Sequence, residues 1–358
     1  MRSIKEFSIN IMLEDKKTKY YLIGVITFSV LMTSLSFYFY QAFFSPNTIL
    51  EGEEPFMLEI PSNATFKNVS DSLYKDETIH DVITFSFVAK ILGYQDNVKP
   101  GLYKINPRMS NLNVVKLLRS ANQTPVRLTF NNVRTKVDLA EKITSKLELT
   151  DEQFLNLLTD SVNIRKFGFE EETIMAMFIP NTYEVWWNTS AENLFDRMHT
   201  EYSKFWTEER KQKANALGLT QNEVSTLASI VQAETQKADE RPKVAGVYLN
   251  RLRINMPLQA DPTLVFAVGD FSIKRVLNVH KEIDSPYNTY KYLGLPPGPI
   301  NLPEISALDA VLNFENHDYL YFCAKDDFSG YHAFATNLAE HLINARKYQN
   351  ALNQAKIY

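Results

Sequence analysis

Glu234 stands where a carboxylate is out of place. It follows Leu227 by seven residues, Ile230 by four and Val231 by three, so at helical spacing it shares the apolar face that Val224 and Ala228 also occupy. A glutamate on a buried face loses hydration, which favours its neutral form and raises its pKa. A carboxylic acid that stays neutral near pH 7 is what a general acid must be. The plainer alternative is a glutamate at the rim of a core, or one paired with Arg241 or Arg251.

The elements that would position this group are legible around it. Thr220 and Glu223 have the T-x-x-E spacing of a capping box, which starts the helix that carries Glu234. A second helix is predicted from Lys243 to Arg253, with Val244, Val247, Tyr248 and Leu252 to pack back on the first. It leads into an extended segment, Leu258 to Thr263, from which Gln259 can face Glu234.

Several runs occur in a fixed order: Ser229–Thr235 (SIVQAET), Val247–Arg253 (VYLNRLR), Leu258–Thr263 (LQADPT), Ser285–Tyr290 (SPYNTY) and Gly294–Ile300 (GLPPGPI). With Tyr319–Phe322 and Gly330–Phe334, they closely resemble the endolytic murein transglycosylase (YceG-like) family. The resemblance implies cleavage of the β-1,4 bond between N-acetylmuramic acid and N-acetylglucosamine inside peptidoglycan strands. The products would carry 1,6-anhydro ends, and Glu234 would act first as acid and then as base. It also implies a role in terminating glycan elongation, with peptidoglycan strands as substrate and the synthases as partners. Gln259 is expected to orient the sugar. Asn288, Thr289 and Tyr290, on a turn-rich loop, offer it an amide, a hydroxyl and an aromatic face. Asp261, the nearby acid a hydrolase would need, reads instead as a loop-fixing residue.

The chain departs from the family near Phe178–Trp187. Met175 and Ala176 stand where the family has Glu and Gly, and Asn181 stands for Asp. That departure leaves a second function open: a non-catalytic, membrane-tethered peptidoglycan-binding protein. Tyr183, Trp186 and Trp187 can stack on sugars or fill a core. No cofactor is expected. His332 and His341 lie nine residues apart, a spacing that matches no metal motif, so no metal is expected either.

The rest of the chain sets the class. Its 358 residues, 45% of them hydrophobic, suffice for two or three small domains, and the lone Cys323 excludes an intramolecular disulfide. A net charge of -4 gives no electrostatic reason to expect nucleic acid. Tyr20–Phe44 carries no charge over 25 positions, and as a helix would be about 37 Å long against about 30 Å of hydrocarbon. Arg2, Lys5, Lys16, Lys17 and Lys19 precede it, and Glu51, Glu53 and Glu54 follow it. The expectation is a single span in a bacterial cytoplasmic membrane, with the N-terminus in the cytoplasm and the remainder outside. The whole reads as α+β: residues 1–19 cytoplasmic, 20–44 transmembrane, 47–123 a small α/β subdomain and 124–358 a mixed α/β catalytic domain. The family resemblance makes the subdomain LysM-like, a glycan-holding module. A long charged helix is predicted between Glu192 and Gly218, with Glu208–Lys211 as a solvated face.

Overall fold

The computed structural model describes residues 16–50 and 52–355. Arg2, Lys5 and Glu51 of the flanking charges lie outside the described residues. The architecture is mixed α+β, led by one apolar helix, α1 (Lys16–Phe44), which is long and apolar enough to cross a membrane.

The chain divides into two units, the first ending at Val126 and also holding Trp186–Asn188. In the first unit β1 (Phe56–Ile60) pairs antiparallel with β2 (Gly101–Ile105), Leu58 opposite Tyr103. Around this hairpin lie α2 (Phe66–Lys75), α3 (Val82–Ile91) and α4 (Asn111–Arg119). Alternate strand residues Leu58 and Ile60 point inward to meet Val69, Leu73, Phe85, Val88 and Val114, all buried. Helix starts are set by side-chain caps from Thr65, Asp81 and Ser110.

The second unit begins at Arg127, within β3 (Val126–Phe130), which pairs with β4 (Asn181–Val185). Between them run α5 (Lys136–Thr144), α6 (Asp151–Thr159), α7 (Ser161–Lys166) and a 3-10 turn at Ile174–Met177. The long charged helix expected after Glu192 is two helices, α8 (Ala191–Phe205) and α9 (Glu208–Ala216). Trp206 leaves helical geometry and is buried, and Thr207 then caps Arg210 to start afresh. Nor is Glu208–Lys211 only a solvated face. Arg210 lies over the Phe205 ring at 4.2 Å and donates to Asp309 and to the Phe205 carbonyl.

At the centre is α10 (Gln221–Glu234), capped by the Thr220–Glu223 box. It packs against α11 (Arg241–Arg253), α12 (Asp261–Val268) and, beyond the short α13 (Asn278–Lys281), α14 (Ile305–Leu312). The hairpin β5 (Tyr321–Ala324) and β6 (His332–Ala335) and the final helix α15 (Leu338–Ala355) complete the unit. The segment expected to stay extended to Thr263 turns into α12 at Asp261, because Pro262 falls in the first helical turn, where its missing N–H is no loss.

The Pro-Pro-Gly-Pro loop is tied to α10. Ile300 N donates to Ser229 Oγ at 3.0 Å, and Asn301 Nδ2 donates to the Ser229 carbonyl at 2.9 Å. Gln232 exchanges bonds with Leu302 and Glu304 of the same segment. Gly298 is buried, and a Cβ there would overlap the Glu172 carbonyl. Gly298→Ala is therefore expected to destabilise the second unit by about 3 kcal/mol, through forced backbone movement under the helix. Thermal denaturation checks this, and an unchanged midpoint would refute the close approach.

Candidate active site

Glu234 is the last residue of α10, so its side chain projects from the helix end into a cleft of about 390 Å³. The opposing wall comes from α11. Tyr248, buried, donates its hydroxyl to Glu234 Oε1 at 2.7 Å. Neither arginine considered as an ion-pair partner takes that role. Arg241 donates to Glu304 and Ser306. Arg251, also buried, spends its donors on the carbonyls of Leu258, Pro257 and Leu320. It thereby stitches α11 to the segment before α12 and to the start of β5.

With no cation among the described residues bonded to it, the carboxyl of Glu234 is pushed up to about 7. Burial is the main cause, and the charge of nearby Asp261 adds to it. The Tyr248 hydrogen bond and the more distant Arg251 pull the other way. The side chain is enclosed by protein on most sides yet lines the cleft, as a proton donor must.

Gln259 and Tyr290 reach the same cleft. Gln259 is exposed and adopts a left-handed backbone (φ 50°), an uncommon conformation for a non-glycine residue, held by its N–H donating to the Thr289 carbonyl. Tyr290 donates to Asp261 Oδ1 at 2.5 Å, which occupies the second carboxylate with a neighbour's hydroxyl. Asn288 and Thr289 lie behind the wall instead. Asn288 is fully buried, donating to the Lys281 and Ile283 carbonyls and accepting from the Tyr290 N–H. Thr289 Oγ1 accepts from Ala260 N and shares a bond with Thr263. Asn288 thus fixes the loop that presents Tyr290, and Thr289 ties that loop to the segment that presents Gln259.

Three features of the site escape a reading of the sequence. Tyr248 looks there like one more apolar-stripe residue. Arg251 looks like an ion-pair partner. The third is the buried carboxylate of Glu240, which accepts from Thr235 Oγ1 at 3.0 Å, His332 N at 2.7 Å and His332 Nδ1 at 2.7 Å. His332 lines the cleft, and Thr235 directly follows Glu234. His341 also lines the cleft, its ring stacked on Tyr321. Met175 and Ala176 are buried in the 3-10 turn that packs on α8 and α10, so in this chain those positions serve packing. Tyr183 and Trp187 are buried, whereas Trp186 is half exposed.

Tyr248→Phe would remove the hydrogen bond that favours the Glu234 carboxylate. The alkaline limb of a pH–rate profile is expected to move up by about one pH unit, since a hydrogen bond to a charged group is worth about 1.5 to 3 kcal/mol and some is recovered by solvent. A limb that stays in place would show that Tyr248 does not tune this acid.

Residues 58–347 match the YceG-like family. An endolytic murein transglycosylase of Bacillus subtilis (strain 168) is 30% identical over 315 residues, covering 83% of this chain and 86% of that one. One from Streptococcus pneumoniae serotype 2 is 28% identical over 365 residues and covers 93% of this chain; the chain spans 66% of that relative's length. The crystal structure of a YceG-like protein from Listeria monocytogenes is 28% identical with a TM-score of 0.53, over 82% of this chain and 99% of that one. Matched over most of its length by the family and by these relatives, the chain belongs to the YceG-like family.

Proposed function

We propose that the protein is a membrane-anchored endolytic transglycosylase that cuts the β-1,4 bond between N-acetylmuramic acid and N-acetylglucosamine within peptidoglycan strands. The observation that carries this reading is Glu234, a carboxyl group enclosed at the wall of a cleft with its pKa raised to about 7, while the other carboxylate of the cleft, Asp261, is taken up by the Tyr290 hydroxyl. Glu234 gives its proton to the glycosidic oxygen as the C1–O bond breaks. Its carboxylate then takes the proton of the muramic acid 6-hydroxyl, whose oxygen closes on C1. One bond forms for each that breaks, Glu234 ends as it began, and water is not consumed. The substrate's N-acetyl group relieves the positive charge at C1, while Gln259 and Tyr290 orient the sugar. Asn288 and Thr289 act by holding those two in place.

The anchor is α1, oriented with Lys16, Lys17 and Lys19 in the cytoplasm and Glu53 and Glu54 outside, a reading supported by the charge asymmetry. The first unit serves as the LysM-like glycan-holding module, and the catalytic domain begins near residue 124. Cutting strands beside the synthases would help to end their elongation.

Product analysis tests the proposal. Purified protein and its Glu234→Gln variant are incubated with uncrosslinked strands, and the fragments are identified by mass spectrometry. Internal fragments ending in 1,6-anhydromuramic acid, absent with the variant, are the expected result. Reducing-end muramic acid would overturn it in favour of a hydrolase using Asp261. Binding without cleavage would leave a glycan-binding protein.

A further inference from the structure

Helix α3 (VITFSFVAKI) is apolar on more sides than its own fold uses. Phe85, Val88 and Ala89 fill the core of the first unit. Ile83, Phe87 and Ile91 recur every fourth residue and form a separate stripe. Ile83 is 75% and Ile91 52% exposed, and Phe87 between them is half-buried. Large apolar side chains aligned on one exposed face mark an interaction surface.

Phe87 indicates what covers it. Its ring centroid lies 6.3 Å from that of Tyr38, 5.6 Å from Phe39 and 6.3 Å from Phe43, all on the last turns of α1. The joint between α1 and this unit is stiff. Asn111 Nδ2 donates to the Ala42 carbonyl at 2.9 Å, and Asn47 Nδ2 donates to Asn111 Oδ1 at 2.7 Å. Ala42, Asn47 and Asn111 are all buried, so α1 runs into the unit's core without a slack linker. The apolar run of α1 exceeds the hydrocarbon thickness by about 7 Å, so its last turn emerges at headgroup level. Tyr38, Tyr40 and Phe44 suit that level. Phe87, packed on the same turns, holds α3 beside them, and the exposed Lys90 next to the stripe complements anionic headgroups.

On the reading that α1 spans the bilayer, we infer that the Ile83–Phe87–Ile91 stripe is buried in the outer lipid interface, seating the first unit on the membrane. The test uses the full chain with Cys323→Ser and a single cysteine at Ile83, Ile91, Lys104 or Val30, each labelled with an environment-sensitive fluorophore. Lys104 is exposed on the β1–β2 hairpin, and Val30 lies in the middle of α1. Proteins are placed in phosphatidylethanolamine–phosphatidylglycerol vesicles containing lipid spin-labelled either near the headgroup end of the acyl chain, which reads positions 83, 91 and 104, or near its terminal methyl, which reads position 30. Labels at 83 and 91 are expected to be quenched at least about twofold more than the label at 104, with the label at 30 also quenched. Quenching at 30 with 83 and 91 no different from 104 would overturn the seating and leave the anchor intact. No quenching at 30 would overturn the anchor itself, and the seating with it.

Discussion

Glu234→Gln is expected to lower turnover by about a thousandfold or more, because general acid–base assistance alone is worth about 10² to 10⁴ and in the proposed mechanism this side chain serves both proton transfers. Gln keeps the shape and can still accept from Tyr248, so strand binding should survive. Stability should move the other way. The acid form of Glu234 is favoured by the fold, with its pKa near 7 against an ordinary 4.5. The contribution of Glu234 to stability is therefore fully present below about pH 4.5 and is lost as the pH rises through about 7 and the enclosed carboxyl ionises. The loss reaches about 3 kcal/mol at most. A neutral glutamine has no such loss, so the variant should match the wild type at pH 4 and melt above it at pH 8. Melting curves at the two pH values, with strand-cleavage rates, check both halves. A gap that does not widen with pH would mean that Glu234 is not held protonated. In the wild type, kcat/KM should fall above about pH 7 as the acid is lost.

The legible parts of this protein are those whose physics is local. Thr220, Glu223 and the apolar stripe specify α10 from within one segment, and the position of Glu234 on that stripe implied its raised pKa before any partner was known. Capping boxes at Thr150 and Thr220 and the alternation in Phe56–Ile60 work in the same way. What could not be read depends on the side-chain geometry of distant segments. Asn288 is a polar residue in a polar loop, and only its two backbone acceptors show it turning inward. Arg251 is half a turn from the end of a helix and looks free to pair with Glu234, until three carbonyls claim it. Trp206 breaks a pattern that remains amphipathic across it, because the bulk of the indole goes to the core at the expense of helical geometry. Gln259 takes a left-handed backbone that its residue type does not ask for, secured by Thr289 thirty residues later.

Glu240 is a further case, since His332 lies 92 residues away. Its carboxylate is buried and accepts three hydrogen bonds, one from Thr235 and two from His332. Glu240→Ala would leave these three donors unpaired. Each buried orphan costs about 1 to 3 kcal/mol, less whatever water entering the space restores, so a net loss of about 3 kcal/mol is expected. The functional loss should be larger than an ordinary core defect would give. Thr235 is the residue after Glu234 and its hydroxyl is held by Glu240, so freeing it releases the end of α10 that aims the acid. A displacement of about 1 Å at a reacting group can lower turnover about a hundredfold. The loss should fall on kcat, with KM little changed, because Gln259 and Tyr290 are anchored through Thr289 and Asp261 rather than through Glu240. Steady-state kinetics well below the variant's melting point separate the two effects. A kcat equal to wild type in a protein with a lowered melting point would make Glu240 a stabilising residue only. A lowered kcat at a temperature where the fold is intact would establish that the Glu240 carboxylate helps to hold the His332 hairpin and the helix that carries Glu234 in register.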